Sequence, residues 1–486
     1  MSEFESARDT KTIIIAVAVI AIIGVGGIAG FMFLGGGGGT TTTTTTPTTT
    51  TPTEGVLTVL TRHDVAIHNV FEPAFLASEL AQEAGITDIL WKTPSGEFWD
   101  NLIDLGQIDV CWGGGPTLFD QLMRDGRLLT LDSEYMQEVA SRVPDSIAGA
   151  DMKRFDDGDL KWIAAAISTF GFTVNHQFLD DYSLPTPTSW TDLANATYGS
   201  LLPTIPTIAM GNAPDTTSNT RIYEIITQGM GWDAGWITLS RMAGSSNIYG
   251  GSVETQQASE LGQVGISMSI DFYGYLTQFR NPDCEYILPE GQSIVNGDPI
   301  AIAATTTHTQ ASEVFLDFVL SPEGQALWLD DSIRRMPVME SAFWEPEAAG
   351  AQDLYAVFNQ TVATSGIDFN DTLSLLTSSA FIQYFEAVFT DAHTELRQAW
   401  GAIVEAFYDA KIDASELDYY AGLMGIPVTV QDPSTSTNQK FTLAYAIQIN
   451  DAMIYNSDFA STITSRWTAA AKAQYISVYN QIVALP

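Results

Sequence analysis

Basic residues are scarce in this 486-residue chain: 20 Lys plus Arg stand against 58 Asp plus Glu, a formal net charge of −38. A surface of that sign repels phosphate backbones, so nucleic-acid partners are excluded. Cysteine is rarer still, with only Cys111 and Cys284. Two cysteines exclude a disulfide scaffold and any four-cysteine zinc site, leaving two unpaired thiols as the simplest reading and a single bridge as the other. The HExxH, GxSxG and GxxxxGK[ST] patterns are all absent, so the zinc-protease, serine-hydrolase and nucleotide-hydrolysis signatures have no support here. Repeats of 20–50 residues are also missing, against a stack of identical surface domains. What is present is apolar: 45% of the residues are hydrophobic and 11% aromatic. That is enough for sizeable cores, and the length predicts more than one packed lobe.

The one long uncharged run is Thr12–Leu34, TIIIAVAVIAIIGVGGIAGFMFL. From Ile13 it would span ~33 Å as a helix, enough for a hydrocarbon core of ~30 Å. A signal-peptide core is shorter, so an uncleaved anchor is expected. Arg8 and Lys11 precede it and the next basic residue is Arg62. That asymmetry predicts a cytoplasmic N-terminus over residues 1–11, an anchor over 12–34, and the rest of the chain outside. Residues 35–55 follow as Gly35–Gly39 and a Thr/Pro run. They read as a stalk, with O-glycosylation and a plain spacer as the two readings. Sequons at Asn195, Asn359 and Asn370 suit an outside location.

From Val56 the pattern alternates short β-rich runs with helical stretches. Val56–Thr61, Asp88–Trp91 and Ile108–Trp112 read as strands separated by amphipathic segments, the β-α-β-α-β order of a parallel sheet with helices on its faces. Trp162–Ser168, Ile205–Met210, Val264–Ser269 and Ile300–Ala304 continue the strands, and beyond about residue 345 the spacing is helical. Ligands of such sheets sit at the carboxyl ends of strands. Those ends carry Arg62, His63 and Asp64, then Thr93, Pro94 and Ser95, and then Trp112 through Thr117. The WGGGPT run has glycines that let backbone N–H groups approach a ligand, with Pro116 suited to a first helical turn. Lining a cleft and making a tight packing turn both fit it, and Trp112 at its tip could stack on a ligand. Asp271, Tyr273 and Tyr275 alternate, so in an extended segment they share one face. A carboxylate with two tyrosines suits a cationic ligand or, through phenolates, Fe³⁺; tyrosines packing a strand end is the structural alternative. His63 is read as a ligand contact or a surface histidine, with Arg62 and Asp64 pairing with each other. His68, Tyr419 and Tyr420 read as core, Cys284 as a loop residue, and Asp156, Asp157 and Asp159 as a solvated turn without a calcium-loop pattern.

The segments LTVLTRHD (57–64), DVCWGGGPTLFDQLMRDGRL (109–128), ISTFGFTVN (167–175), LPTPTSWTDLAN (184–195), IAMGNAPDTTSNT (208–220), MGWDAGW (230–236), GISMSIDFYGY (265–275), GDPIAI (297–302) and EVFLDFVLSPEGQALW (313–328) together resemble the extracellular solute-binding proteins of ABC importers. Their order and spacing are similar to the group that includes ferric-iron and thiamine binders, and the anchor with its stalk is similar to archaeal members. The resemblance implies a two-lobed, periplasmic-binding-protein-like α/β fold of type II with hinge-connected lobes. Lobe one would take 56–166 and about 298–345, lobe two 167–297, and a helical C-terminal region, 346–486, would pack on the lobes. IAAAIS and PIAIAA would be the hinge crossings. The implied function is capture of a small extracellular solute in the inter-lobe cleft and delivery to a membrane permease and, through it, its ATPase, with no enzyme activity and no cofactor. Ser168, Thr169 and Phe170 lie where the family commonly contacts ligand. The expected binding set is therefore His63, Trp112, Gly114, Thr117, Ser168, Thr169, Phe170, Asp271, Tyr273 and Tyr275, with His63, Asp271, Tyr273 and Tyr275 as donors if the solute is ferric iron. The ferric binders place their two tyrosines adjacent, whereas Gly274 separates them here. Ferric iron, a small organic cation, an oxyanion and a sugar all remain open, as do a surface structural or adhesive role and an extracellular hydrolase.

Overall fold

The computed structural model describes residues 55–364 and 366–486, so the anchor at 12–34 and all but the last residue of the stalk lie outside the described residues. Among the described residues no helix is long and apolar enough to cross a membrane. One ten-stranded sheet runs through the molecule. Its main path is Asp88–Lys92, Val56–Thr61, Val110–Trp112, Val295–Ile302, Asp159–Asn175, Ile266–Ile270, Ile208–Gly211 and Ser246–Tyr249. The strands at the beginning of the chain pair in parallel, as the β-α-β-α-β pattern predicts, with Val59 opposite both Trp91 and Val110.

The strand Asp159–Asn175 organises everything else. It is 17 residues long and almost wholly buried because its sequence is a nearly unbroken apolar run. Its first part, Leu160 to Ile167, belongs to one hydrophobic core with Leu57, Val110, Trp112 and Ile300. From Phe170 on, the same strand feeds a second core with Ile208, Tyr223, Trp236 and Ile266. Val295–Ile302 returns antiparallel beside it, with Val295 opposite Thr169 and Gly297 opposite Ile167. The chain thus crosses between the two cores twice, side by side.

Residues beyond about 345 are mainly helical, as the spacing predicts, with one short hairpin formed by Thr429–Gln431 and Asn438–Lys440. Helix Gln352–Ala363 completes the first core, while the helices from Asp371 onward build out the second. There Trp236, Tyr384, Phe441 and Trp467 pack ring against ring, Tyr384 stacking on Phe441 at 3.7 Å. Asp413 and Glu416 form a reciprocal capping box at the start of helix Ala414–Gly425.

Several expectations are corrected. Asp271–Arg280 is a helix and not an extended segment. Strand Ile266–Ile270 ends at Ile270, and Asp271 opens a helix, so the D-x-Y-x-Y alternation does not place three side chains on one face. Cys284 begins a strand that pairs with Asn175; Cys111 and Cys284 are both buried and free. Tyr419 is exposed, with 59% of its surface accessible, because it projects from the outer face of its helix. Arg62 and Asp64 do not pair with each other. Asp64 instead caps helix Val65–Ala77 by accepting from the Ala66 N–H, and Arg62 donates to the carbonyl of Asp215 at 3.4 Å. The Asp156–Asp159 turn is a tight hairpin with positive φ at Asp157 and Gly158.

Candidate functional site

A cavity of about 900 Å³ lies where the elements of the two cores face each other. The first side supplies Arg62 and His63, just past strand Val56–Thr61, and Gly114 to Leu118, where strand Val110–Trp112 turns into helix Pro116–Arg124. The second side supplies Asp215 to Ser218 at the start of helix Thr217–Met230, Gly250 to Glu254 at the start of helix Ser252–Glu260, and Phe272 and Tyr273. Helices Pro116–Arg124 and Ser252–Glu260 are preceded by Gly115 and Gly251, neither of which offers a side-chain cap. The positive ends of both helix dipoles thus lie at the cavity, with Pro116 contributing no N–H to the first and Glu254 standing in the first turn of the second. Gly113, Gly114 and Gly115 all have positive φ. At Gly113 a Cβ would lie 2.1 Å from His63 Nε2, so only glycine fits beside that ring.

A buried charged cluster forms the floor. His63 Nε2 and Asp298 Oδ2 are 2.7 Å apart, and Arg335 Nη1 lies 3.1 Å from the same oxygen and 3.3 Å from the imidazole. Asp298 is acceptor-only, which places the imidazole proton on Nε2 and makes it the donor. Burial would raise the Asp298 carboxyl, but the Arg335 guanidinium, His63 and the Gly114 N–H outweigh it and hold it at about 2. Burial lowers the His63 pKa, with Asp298 opposing and Arg335 assisting, so the ring is neutral. Arg335 also donates to Ser168 Oγ at 3.2 Å and lies over the rings of Phe272 and Trp328, 4.8 and 5.1 Å from their centres. Its Nε and the His63 Nδ1 are buried without a partner among the described residues. The guanidinium is thus held rigidly at the cavity with donor capacity left over.

A second arginine ties the two sides together. Arg221, on helix Thr217–Met230, is buried and reaches Thr117 Oγ1 (3.4 Å), Asn296 Oδ1 (3.1 Å) and Glu224 Oε2 (3.2 Å), and it pairs closely with Asp371. Thr117 belongs to the first side and Glu224 to the second.

Of the ten residues expected from sequence to bind ligand, the cavity wall contains His63, Gly114, Thr117, Ser168, Phe170 and Tyr273. The other four are not in that wall. Trp112 is fully buried, 4.8 Å from His63 and packed on Phe71, Phe315 and Trp328, so it buttresses the floor and is not free to stack on a ligand. Thr169 and Asp271 bind each other: the Thr169 N–H donates to Asp271 Oδ2 at 2.7 Å. Burial raises the Asp271 carboxyl to about 6, against that N–H and Arg335. Tyr275 packs edge-on against Tyr286 at 5.0 Å. Of the four proposed iron donors, only His63 and Tyr273 line the cavity. Burial also raises the phenols of Tyr273 and Tyr275. No group of three or more His, Cys, Asp or Glu side chains suited to a metal occurs among the described residues.

Sequence reasoning missed Arg335, Asp298 and Arg221. The available signal was rarity: in a chain this acidic, Arg334-Arg335 inside the otherwise apolar stretch Ile333–Val338 is anomalous.

The family model for "bacterial extracellular solute-binding protein" matches residues 108–359, just over half of the chain. A curated relative, the phosphoglycerate transport regulatory protein PgtC of Salmonella typhimurium, is 27% identical over 338 residues, covering 68% of this chain and 76% of that protein. Among solved structures, the periplasmic binding protein AfuA of Actinobacillus pleuropneumoniae, with fructose-6-phosphate bound, superposes with a TM-score of 0.52. The identity is 15%, over 72% of this chain and 98% of that one. A putative spermidine/putrescine ABC transporter protein of Listeria monocytogenes gives 0.52 at 14% identity, over 68% and 99%. At such identities the likeness is one of fold: the mixed α/β, periplasmic-binding-protein-like architecture.

Proposed function

The chain belongs to the bacterial extracellular solute-binding protein family, whose members serve ABC importers, and from that premise we propose that it captures a small phosphorylated organic anion in the cavity between its two cores and hands it to a membrane permease. The observation that carries this reading is the convergence of Arg62, Arg335 and two uncapped helix starts on one cavity, with contributions from both sides. A phosphoester dianion is the ligand class that uses rigid guanidinium donors and helix N-termini together. The names of two relatives, a phosphoglycerate transport regulatory protein and a periplasmic binding protein with fructose-6-phosphate bound, point the same way. Ferric iron has less support because Asp271 and Tyr275 are not in the cavity wall and the Arg335 guanidinium stands 3.3 Å from His63.

Capture works by population shift. The paired crossings at Ser168–Thr169 and Val295–Asp298 are the places where the two sides can rotate. A solute touching both sides adds binding free energy only when they approach. Micromolar affinity, roughly −8 kcal/mol, exceeds the ~5.5 kcal/mol of differential binding that moves a two-state equilibrium from 1:99 to 99:1. The permease and, through it, its ATPase then act on the closed form, with the N-terminal anchor holding the chain on the outer side of the cytoplasmic membrane.

Calorimetric titration of the full chain at pH 7 tests the ligand class, using 3-phosphoglycerate, fructose 6-phosphate, inorganic phosphate, spermidine and Fe³⁺. Saturable binding of at least one phosphoester, competed by inorganic phosphate, is expected. Binding of spermidine or Fe³⁺ with no response to any phosphate would overturn it.

A further inference from the structure

Residues beyond 359 lie outside the family match, yet part of that region reaches the cavity. Helix Asp371–Phe385 begins at Asp371, which pairs with Arg221 and lies 3.6 Å from Arg154 on strand Lys153–Asp156. The helix then runs past helix Pro116–Arg124 of the opposite side. Ser374 is one turn in, 3.4 Å from Arg221 Nη1. Ser378, Ile382 and Glu386 follow at four-residue steps, with Gln383 beside them. This face is about 18 Å long at 1.5 Å per residue, and Ser378, Ile382, Gln383 and Glu386 all line the cavity.

The polar groups on this face are only partly used. Glu386 Oε1 accepts from Asn212 at 3.3 Å and Gln383 Oε1 accepts from Thr464 at 3.3 Å. Glu386 Oε2 and the Gln383 amide donors have no partner among the described residues. The face cannot easily swing away. Its buried side contributes Phe381, Tyr384 and Phe385 to the second core, where Phe385 packs against Phe389 and Tyr384 stacks on Phe441.

We infer that the C-terminal helical region forms a third wall of the binding cleft, and that Ser378, Gln383 and Glu386 determine specificity by holding the hydroxylated body of a phosphorylated polyol or sugar whose phosphate sits on the first side, by Arg62 and Arg335. A carboxylate and an amide are the groups that read sugar hydroxyls, one accepting and the other both donating and accepting. They would repel or ignore a second phosphate. A six-carbon phosphoester offers this wall several hydroxyls, whereas 3-phosphoglycerate offers one hydroxyl beside a carboxylate. This inference rests on the phosphate reading above.

The test compares calorimetric affinities of the full chain and its Gln383→Leu and Ser378→Ala variants for fructose 6-phosphate and 3-phosphoglycerate. Circular dichroism establishes that each variant is folded. Ser378→Ala removes one hydroxyl and no packing, so it remains informative if the leucine variant misfolds. The expected result is that Gln383→Leu weakens the six-carbon ester about tenfold or more and Ser378→Ala weakens it severalfold, while the three-carbon ester changes less than twofold. Unchanged affinity for the six-carbon ester in both folded variants overturns the inference and leaves the phosphate reading intact. Equal loss for both esters also overturns it, since it would place these residues at the phosphate. If the unmodified chain binds neither ester, the phosphate reading falls and takes the inference with it.

Discussion

Replacing Arg335 with methionine keeps the apolar length of the side chain and removes only the charge and its donors. Asp298 then stays buried with a neutral imidazole as its remaining close partner. Its carboxyl is held at about 2, nearly two units below the ordinary 3.8, which represents about 2–3 kcal/mol of stabilisation at neutral pH. Removing one member of a buried pair also leaves the other uncompensated, and such changes cost about 3–5 kcal/mol. With an unfolding entropy of ~2.1 cal/mol/K per residue over the described chain, this is a fall in Tm of roughly 3–6 °C. The sign of the pH dependence follows. A depressed carboxyl pKa contributes stability that is present above pH ~4 and lost as pH falls toward 2. In the variant Asp298 no longer has that partner, and either it or His63 gains a proton more readily. The deficit is therefore largest near pH 8 and shrinks toward pH 5. Adding Asp298→Asn removes the stranded charge and recovers at least half of the loss. Calorimetric unfolding of the three proteins at pH 5, 7 and 8 measures all of this. A single-variant loss under 1 kcal/mol, or a double variant no more stable than the single, would refute the reasoning.

Two further outcomes are expected. Gly113→Ala combines a φ of +74° with a Cβ 2.1 Å from His63 Nε2, so it lowers stability by more than 2 kcal/mol and weakens phosphoester binding at least tenfold; Gly115→Ala, with φ +85° and nothing within 4 Å, costs only about 1–2 kcal/mol, and unfolding curves of the two distinguish contact from backbone strain. His68 stacks on Trp91 at 4.2 Å, and burial, with His63 nearby, lowers its pKa to about 4. A depressed histidine pKa means protonation favours the unfolded chain, so His68 removes up to about 3 kcal/mol as pH falls from 6.5 to 4. His68→Phe keeps the stack and flattens that part of the stability–pH curve; an unchanged slope would show that other groups set it.

Much of the fold was legible because the strands are short apolar runs punctuated by turn residues. The WGGGPT run also announced a backbone that must turn with positive φ, which Gly113, Gly114 and Gly115 do. The residues His63, Gly114, Thr117, Ser168, Phe170 and Tyr273 could be placed because they follow strand ends or a crossing. Trp112 was misplaced because the rings that enclose it, Phe315 and Trp328, are some two hundred residues further along the chain. Asp271, Tyr273 and Tyr275 were grouped by a period-two pattern that a helix start erases. Arg335 and Asp298 meet only because strand Val295–Ile302 and the segment after Leu329 return to the floor beneath His63. No local pattern encodes that meeting.

The central claim is that one solute is held by elements of both cores, and hydrogen exchange with and without saturating phosphoester measures it most directly. Peptides spanning residues 113–119, 215–220 and 250–255 report the three helix starts that face the cavity. The account predicts protection of all three together, with the segment 376–387 also protected when the six-carbon ester is used. Protection confined to one side, or no change at any of these segments while the ligand is bound, would contradict it.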